Sequence, residues 1–563
     1  MKKPVLALCA ALALLGGLFV VTAGSASAAV SGSSTNEFAP SPETNLQIPR
    51  SSTIHHVAAS GVPRPAGNAL VIDSSPSGFA GLTHFDQRNA DSGNQFSLEP
   101  PDQGLCVGNG VVIQAVNDAL RITKTSGGGG STVALNPFFG RGHAIIRATT
   151  GPPPTPAVFG PFISDPKCLY DVPTGRFFVT ALDVDVNPVT GALGSRTHVD
   201  IAVSTSSSPD TAPTSWNVFF LDTTNDATNG TSHPNCPCLP DQPLIGADAN
   251  GFYISTNEFG PIPSFTHFNG AQIYELDKVK LEHGALVPVA QFNTGTDVTP
   301  APDGGTWYSV QPATVPGLTY APNTEYFLSA LDFSSDLDNR IALWTLSGTK
   351  TTSPSLSVQV IRSEVYGQPP AAVQKPGPTP LGDSVHAPLE LLNSNDDRMN
   401  QVVYADSLLW SGVNTVVKTK NGPTRVGIAW FAVNPTTPTV TKQGYVAVNN
   451  ENVLFPSIGV SDSGMGVISF TVVGPDIFPS TGYAKVNASS GASDVHISGA
   501  GVLPEDGFSG YRAFGGDGTA RWGDYSAAVF SDGKVWLAGE YIPGPRTFFA
   551  NWGTFVTDVA VTP

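Results

Sequence analysis

Short apolar and polar blocks alternate along most of this chain, and one arrangement of them keeps returning. A short apolar run meets a turn rich in Gly, Asn or Asp, and a second apolar run leads away from it. Leu105–Val107 and Val111–Val116 flank Gly108-Asn109-Gly110, and Cys168–Tyr170 and Arg176–Leu182 flank Pro173-Thr174-Gly175. Pro243–Ile245 and Phe252–Thr256 flank Ala249-Asn250-Gly251, and Val402–Tyr404 and Leu408–Val413 flank Asp406-Ser407. Ser457–Val460 and Met465–Phe470 flank Asp462-Ser463-Gly464, and Tyr525–Phe530 and Lys534–Gly539 flank Asp532-Gly533. A less regular instance joins Trp307–Val310 to Glu325–Leu331 through Pro322-Asn323-Thr324. Gly, Asn and Asp tolerate the positive φ of tight turns, so each instance predicts a β-hairpin.

The second strands end at Asn117, Asp183, Glu258, Asp332, Asn414, Thr471 and Glu540, a spacing of about 70 residues. A unit that long holds four short strands with their loops, which is a propeller blade. Candidate outer strands follow the hairpins: Val199–Ser204 with Trp216–Leu221, Ile341–Leu346 with Leu356–Ile361, and Val426–Val433 with Gly444–Val448. A short helix is expected near Leu276–His283. The chain ends in Trp552–Val561, so a strand near Leu70–Asp73 or Phe79–Phe85 is expected to complete the last blade. The predicted fold is all-β: a β-propeller of seven four-stranded blades closed by an N-terminal strand. Six or eight blades and a two-sheet sandwich are the alternatives, although a sandwich needs no such period.

Before the repeat, residues 1–28 have the pattern of a secretory signal. Lys2 and Lys3 precede the apolar stretch Val5 to Val21, and Ala26-Ser27-Ala28 supplies a small-residue cleavage site. The stretch is at the short limit for spanning a bilayer. Residues 29–68 read as a flexible Ser/Pro-rich arm and residues 69–563 as one propeller domain. The protein is therefore expected to be secreted, extracellular or associated with the cell envelope, with no membrane insertion once the signal is removed, and monomeric. The remaining cysteines, Cys106, Cys168, Cys236 and Cys238, are even in number and predict two disulfides whose pairing spacing alone leaves open. Cys-x-Cys is poor spacing for zinc.

Composition narrows the function. Charged residues make up 13% of the 563 residues and the net charge is −17, which argues against nucleic acid and anionic membranes as partners. A hydrophobic share of 40% is too high for a disordered chain. No Gly-x-Ser-x-Gly elbow, His-Glu-x-x-His pair or phosphate-binding loop occurs.

Hairpin geometry then places polar groups. The start of a first strand and the end of its partner share one end of the hairpin. Asp102, Asp165, Asp241 and Asp524 should therefore share a face with Asn117, Asp183, Glu258, Asp332, Asn414 and Glu540, around one mouth of a central channel. Paired carboxylates about 5–5.5 Å apart could hydrolyse a glycosidic bond with retention, or about 6.5–9.5 Å apart with inversion. The catalytic candidates are Asp165, Asp183, Glu258, Asp524 and Glu540. Clustered acids could also hold a structural Ca2+. Arg521-Trp522-Gly523-Asp524-Tyr525, with Glu540-Tyr541 on the returning strand, joins cations, acids and aromatics in a mixture that suits a glycan. Asp396-Asp397-Arg398 and Asp165-Pro166-Lys167 add further cation–acid pairs. Ligand-binding candidates are thus Asp102, Asn117, Asp241, Asp332, Arg398, Asn414, Arg521, Trp522, Tyr525 and Tyr541. Each could instead serve structure, because Asp and Asn at strand starts commonly accept backbone N–H bonds.

The segments Glu99–Gly110, Asp165–Cys168, Cys236–Cys238, Asp241–Asp248, Asp506–Tyr511 and Arg521–Tyr525 resemble an uncharacterised family of exported bacterial β-propeller proteins. The resemblance covers about residues 70–563 and implies export and a propeller but no activity. More loosely, the layout is similar to sialidase-like propellers. It lacks their Phe/Tyr-Arg-Ile-Pro start, and Ser531–Trp536 is shorter than their Asp box, so no catalytic residue carries over. Three functions are expected in order. The first is a secreted propeller binding an extracellular glycan or cell-surface ligand at the polar mouth. The second is a glycoside hydrolase using paired carboxylates there, and the third is a structural or adhesive envelope protein.

Overall fold

The computed structural model describes residues 37, 61–73, 77–149, 155–225, 234–302, 305–331, 337–349, 351, 353–419 and 422–561. The signal-like residues 1–28, most of the arm and Asp332 lie outside them. The described chain is all-β, with a few helices of one or two turns.

Among the described residues the main sheets hold four, six or eight strands, and they divide into successive four-stranded antiparallel groups. Sheet I comprises Gly104–Gly108, Val111–Val116, Ala119–Lys124 and Ser131–Ala134. Sheet II comprises Phe162–Asp171, Arg176–Val186, Leu193–Ser204 and Trp216–Asp222, and sheet III Leu239–Ala247, Gly251–Gly260, His267–Asp277 and Val289–Asn293. Sheet IV holds Gln311–Thr314, Thr324–Ser329, Leu337–Ser347 and Ser355–Gly367, and sheet V Val402–Ala405, Leu408–Lys418, Thr424–Asn434 and Thr439–Val446. Sheet VI holds Asn452–Val460, Met465–Val473, Ser480–Asn487 and Val495–Gly499. Sheet VII holds Ala527–Ser531, Lys534–Tyr541 and Gly553–Ala560, and its fourth strand comes from the start of the described chain, Gly78–Thr83. The other early segment, Leu70–Ile72, pairs in parallel with Val495–Gly499 and extends sheet VI instead. In the irregular seventh hairpin the first strand sits slightly later than expected, at Gln311–Thr314, and the second is Thr324–Ser329; the short helix is Lys278–Glu282.

The turns form as their residues dictate. Asn109, Gly110, Gly175, Asp406, Ser407, Gly464, Asp532 and Gly533 all have positive φ, the backbone conformation that Gly, Asn and Asp adopt at least cost.

Each first strand touches the first strand of the next sheet, and that of sheet VII touches that of sheet I. Those of sheets IV and V pair in parallel at Ala313 with Val402 and Thr314 with Val403. The sheets face each other across apolar layers. Phe178 stacks on Phe252 between sheets II and III at 4.8 Å. Trp307 meets Trp344 edge-on beside Tyr253 and Phe327. Trp410 and Trp430 of sheet V pack with Ile458 and Phe470 of sheet VI. Leu105 and Val112 of sheet I pack with Ala527 and Trp536 of sheet VII. Cys106 and Cys168 form a disulfide that joins the first strands of sheets I and II across a separation of 62 residues. Closing so long a loop restrains the unfolded chain by about 4 kcal/mol. Cys236 and Cys238 pair with each other.

Candidate functional site

The first strands are bent near their starts. Register shifts lie opposite Asp165 in sheet II, between Asp241 and Leu244 in sheet III, and between Leu454 and Ser457 in sheet VI. Asp102, Asp165, Gln242, Ser309 and Phe455 there have positive φ of 42–58°. Such bulges re-aim side chains and free backbone N–H groups from the ladder. A recurring asparagine takes up several of those groups. Asn117 Oδ1 accepts from the Asp165 N–H at 2.9 Å, Asn257 Oδ1 from the Ser309 N–H at 2.8 Å, and Asn414 Oδ1 from the Phe455 N–H at 2.7 Å. In each case the end of a second strand is clasped to the start of the next sheet.

The four first-strand acids converge. Asp102 accepts from the Asp524 backbone N–H at 2.8 Å through Oδ1 and from Asn117 Nδ2 at 2.8 Å through Oδ2. Burial raises the Asp102 pKa, and Asp524 adds to the effect. Burial likewise raises Asp165, reinforced by Asp102, Asp241 and Asp524. Asp241 is pushed up to about 7, first by burial, with Arg398 opposing and Asp524 and Asp396 assisting. Three cations stand among them. Arg398 holds Asp396 in a two-point grip, Nε and Nη2 each 2.7 Å from a carboxylate oxygen, and Nη1 donates to Gln242 Oε1 at 2.6 Å. Arg521 Nη2 donates to Asp524 Oδ2 at 2.9 Å. The Lys167 amine lies over the Tyr525 ring, 2.7 Å from its centroid. Burial pulls Lys167 down to about 7 against the pull of Asp102, Asp165 and Asp524. Below this mouth lies a cavity of about 100 Å³, lined by residues from all seven sheets, including Gln103, Lys167, Gln242, Gln311, Gln401, Gly459 and Tyr525.

Of the second-strand acids, Asp183 and Glu258 do not join this group, whereas Glu540 stands beside Asp102 at its edge. Asp183 faces Arg141 at 2.7 Å, and the same guanidinium holds Asp200 at 2.7 Å. Glu258 accepts from Asn269 Nδ2 at 2.7 Å beside the Cys236–Cys238 disulfide. Glu540 accepts from the Gly523 N–H at 2.9 Å, and burial raises its pKa, with Asp102 adding to the effect. The physical reason is the two-residue period of a strand. Asn257 occupies the clasp position, so Glu258 beside it points the other way.

Other expected ligand contacts are spent on structure. Asn117 also donates to Pro100 O, and Asn414 donates to Ser394 O. Trp522 is 1% exposed and donates to Thr471 Oγ1 at 3.0 Å. Tyr541 packs edge-on against Phe555, and Tyr525 is buried at the mouth. Lys167, Asp396, Gln242 and Gln401 complete the site. Gln401 accepts from Ser457 Oγ and donates to Ala528 O, each at 2.6 Å, tying sheets V, VI and VII. Of these, Lys167 and Asp396 lie in cation–acid pairs visible in the sequence; the two glutamines carry no such signal.

Among the described residues, two groups bring three potential metal-ligand atoms within 4.8 Å: Asp183 with His198 and Asp200, and Cys236 with Cys238 and Glu258. Arg141 bridges the two carboxylates of the first.

No protein-family model matches the chain, and no curated protein sequence matches it. Among solved structures, a Trypanosoma rangeli sialidase in complex with sialic acid overlaps 70% of this chain at 11% identity and a TM-score of 0.33; the chain spans 54% of that protein. A GH43_1 enzyme from Xanthomonas citri overlaps 60% of this chain and 96% of its own at 8% identity, TM-score 0.29. RS223-Beta-xylosidase overlaps 57% and 93% at 10% identity, TM-score 0.29. Overlaps this loose carry no weight for the site or its chemistry.

Proposed function

We propose that this protein is a secreted seven-bladed β-propeller that binds an extracellular glycan or cell-surface ligand at the acid-rich mouth of its central channel. The observation that carries this reading is the convergence of Asp102, Asp165, Asp241 and Asp524, from four different sheets, with Arg398, Arg521 and Lys167 among them. The cyclic contact of the seven first strands supports the blade count. Hydroxyl-rich ligands suit such a ring, because fixed carboxylates accept and guanidinium groups donate hydrogen bonds in one place. The two disulfides support an oxidising compartment. No described helix is long and apolar enough to cross a membrane.

One observation favours glycoside hydrolysis as a second reading. Asp241 is incompletely buried and carries a pKa near 7, the value expected of a general acid working at neutral pH. The deciding experiment screens the purified mature protein on a glycan array and analyses the products of every ligand bound. Arg398→Met should abolish mouth binding. Binding without turnover eliminates the hydrolase, turnover lost in Asp241→Asn establishes it, and a complete absence of binding defeats both readings.

A further inference from the structure

The Cys236–Cys238 disulfide is badly placed to act as a staple. It links residues two apart in sequence, whereas Cys106 and Cys168 are 62 apart. Restraint of the unfolded chain grows with the logarithm of the closed loop, so the short bridge contributes far less. The two sulfurs also sit in unequal surroundings. Cys238 is fully buried, its N–H bonded to Thr224 O at 2.8 Å. Gly260 closes over its sulfur so tightly that a Cβ there would come within 2.8 Å. Cys236 is only half-buried.

Polar groups gather on the buried side. Asn269 Nδ2 lies 3.5 Å from Cys238 Sγ, 2.7 Å from Glu258 Oε1 and 2.8 Å from Pro234 O. Asn235 Nδ2 donates to Asn269 Oδ1 at 3.1 Å and fixes the amide. Three acceptors thus compete for two N–H protons. The Glu258 carboxylate stands within 4.8 Å of both sulfurs, so an N–H from Asn269 is what offsets its repulsion of a charge departing on Cys238, and a stabilised thiolate is the better leaving group in disulfide exchange.

We propose that Cys236–Cys238 is a redox-active disulfide that oxidises a dithiol, with Cys236 as the attacked sulfur and Cys238 as the leaving thiolate. The first dithiol sulfur, as thiolate, bonds to Cys236 Sγ while the Cys236–Cys238 bond breaks and its electron pair departs on Cys238. The second dithiol sulfur then attacks the first, closes the substrate disulfide and releases Cys236. Two electrons pass to the cysteine pair, and the two thiol protons end on Cys236 and Cys238. Asn269 is the positioning residue for the thiolate.

The test mixes the full oxidised chain with a reduced peptide carrying two cysteines and follows both partners by thiol alkylation and mass. One peptide disulfide per protein should form, with new thiols at Cys236 and Cys238 and an intact Cys106–Cys168 bridge. Asn269→Ala should slow exchange about tenfold, the loss of about one hydrogen bond to a charged group. Cys238→Ser, mixed with the same peptide in its disulfide form, should trap a mixed disulfide at Cys236, which requires no activity at the mouth. A peptide that stays reduced, or a Cys236–Cys238 bridge that opens only when the protein unfolds, overturns the proposal.

Discussion

Replacing Asn117 by Ala tests whether the inter-sheet asparagines serve architecture or ligand. Asn117 is 1% exposed and makes four side-chain hydrogen bonds of 2.8–2.9 Å: to Pro100 O, to Asp102 Oδ2, from Ser164 Oγ and from the Asp165 N–H. Each such bond contributes about 1 kcal/mol net, so the substitution should destabilise the fold by about 4 kcal/mol. The Asp165 N–H, held out of the ladder by its positive φ, is then left buried without a partner. Asn414 and Asn257 each make two bonds of this kind. Their Ala variants should lose about 2 kcal/mol by the same reasoning. Urea unfolding of the three variants beside the parent, read as midpoint shifts at constant slope, gives the ranking. An Asn117→Ala protein within about 1 kcal/mol of the parent, or one less affected than Asn414→Ala, would refute the clasp argument.

Stability should fall between about pH 5 and 7.5. Asp200, Asp241 and Glu451 have pKa values raised to about 7, and Glu505 to about 8, all with burial as the leading cause. In that window they keep their protons when folded and lose them when unfolded, so rising pH favours the unfolded chain. His84, held down to about 4 by burial, and His198, held down further by burial, oppose this with one proton each. Lys167, pulled down to about 7, joins them near the top of the window, so the acids outnumber the opposing groups only modestly. A thermal midpoint that climbs steadily from pH 5 to 7.5 would contradict the argument. At pH 8, where Asp200 has shed its proton, Arg141→Met should cost about 3–5 kcal/mol in urea unfolding, because it leaves that buried carboxylate without its cation; a near-neutral result there would mean that the carboxylate needs no counter-charge. Glu540→Gln should change stability by less than about 1 kcal/mol, since burial favours the neutral form of this carboxyl and the amide oxygen can still accept from the Gly523 N–H. A large loss would show that the ionised form is the one held.

The hairpins were legible because their turns are local. Asn109-Gly110 or Asp532-Gly533 specifies a positive-φ turn whatever surrounds it. The convergence of Asp102, Asp165, Asp241 and Asp524 also followed from strand order and the about 70-residue spacing, since both need only the direction in which each strand runs. Asp183 and Glu258 were grouped with them on the same reasoning, and there it reached its limit. Direction along a strand says which end a residue occupies. It does not say which of two faces the side chain takes once a bulge has shifted the register.

What the chain by itself determined is therefore the set of hairpins, their repeat and the end of each at which polar residues gather. Those depend on φ preferences and alternation, which act over a few residues. Only the packed structure decided which acid received a cation, which asparagine became a clasp and which cysteine was left open to solvent. Those outcomes depend on groups hundreds of residues apart, such as Asp102 and the Asp524 N–H. Burial then turned their proximity into altered proton affinities, because a carboxylate removed from water keeps its charge only where a partner stands beside it.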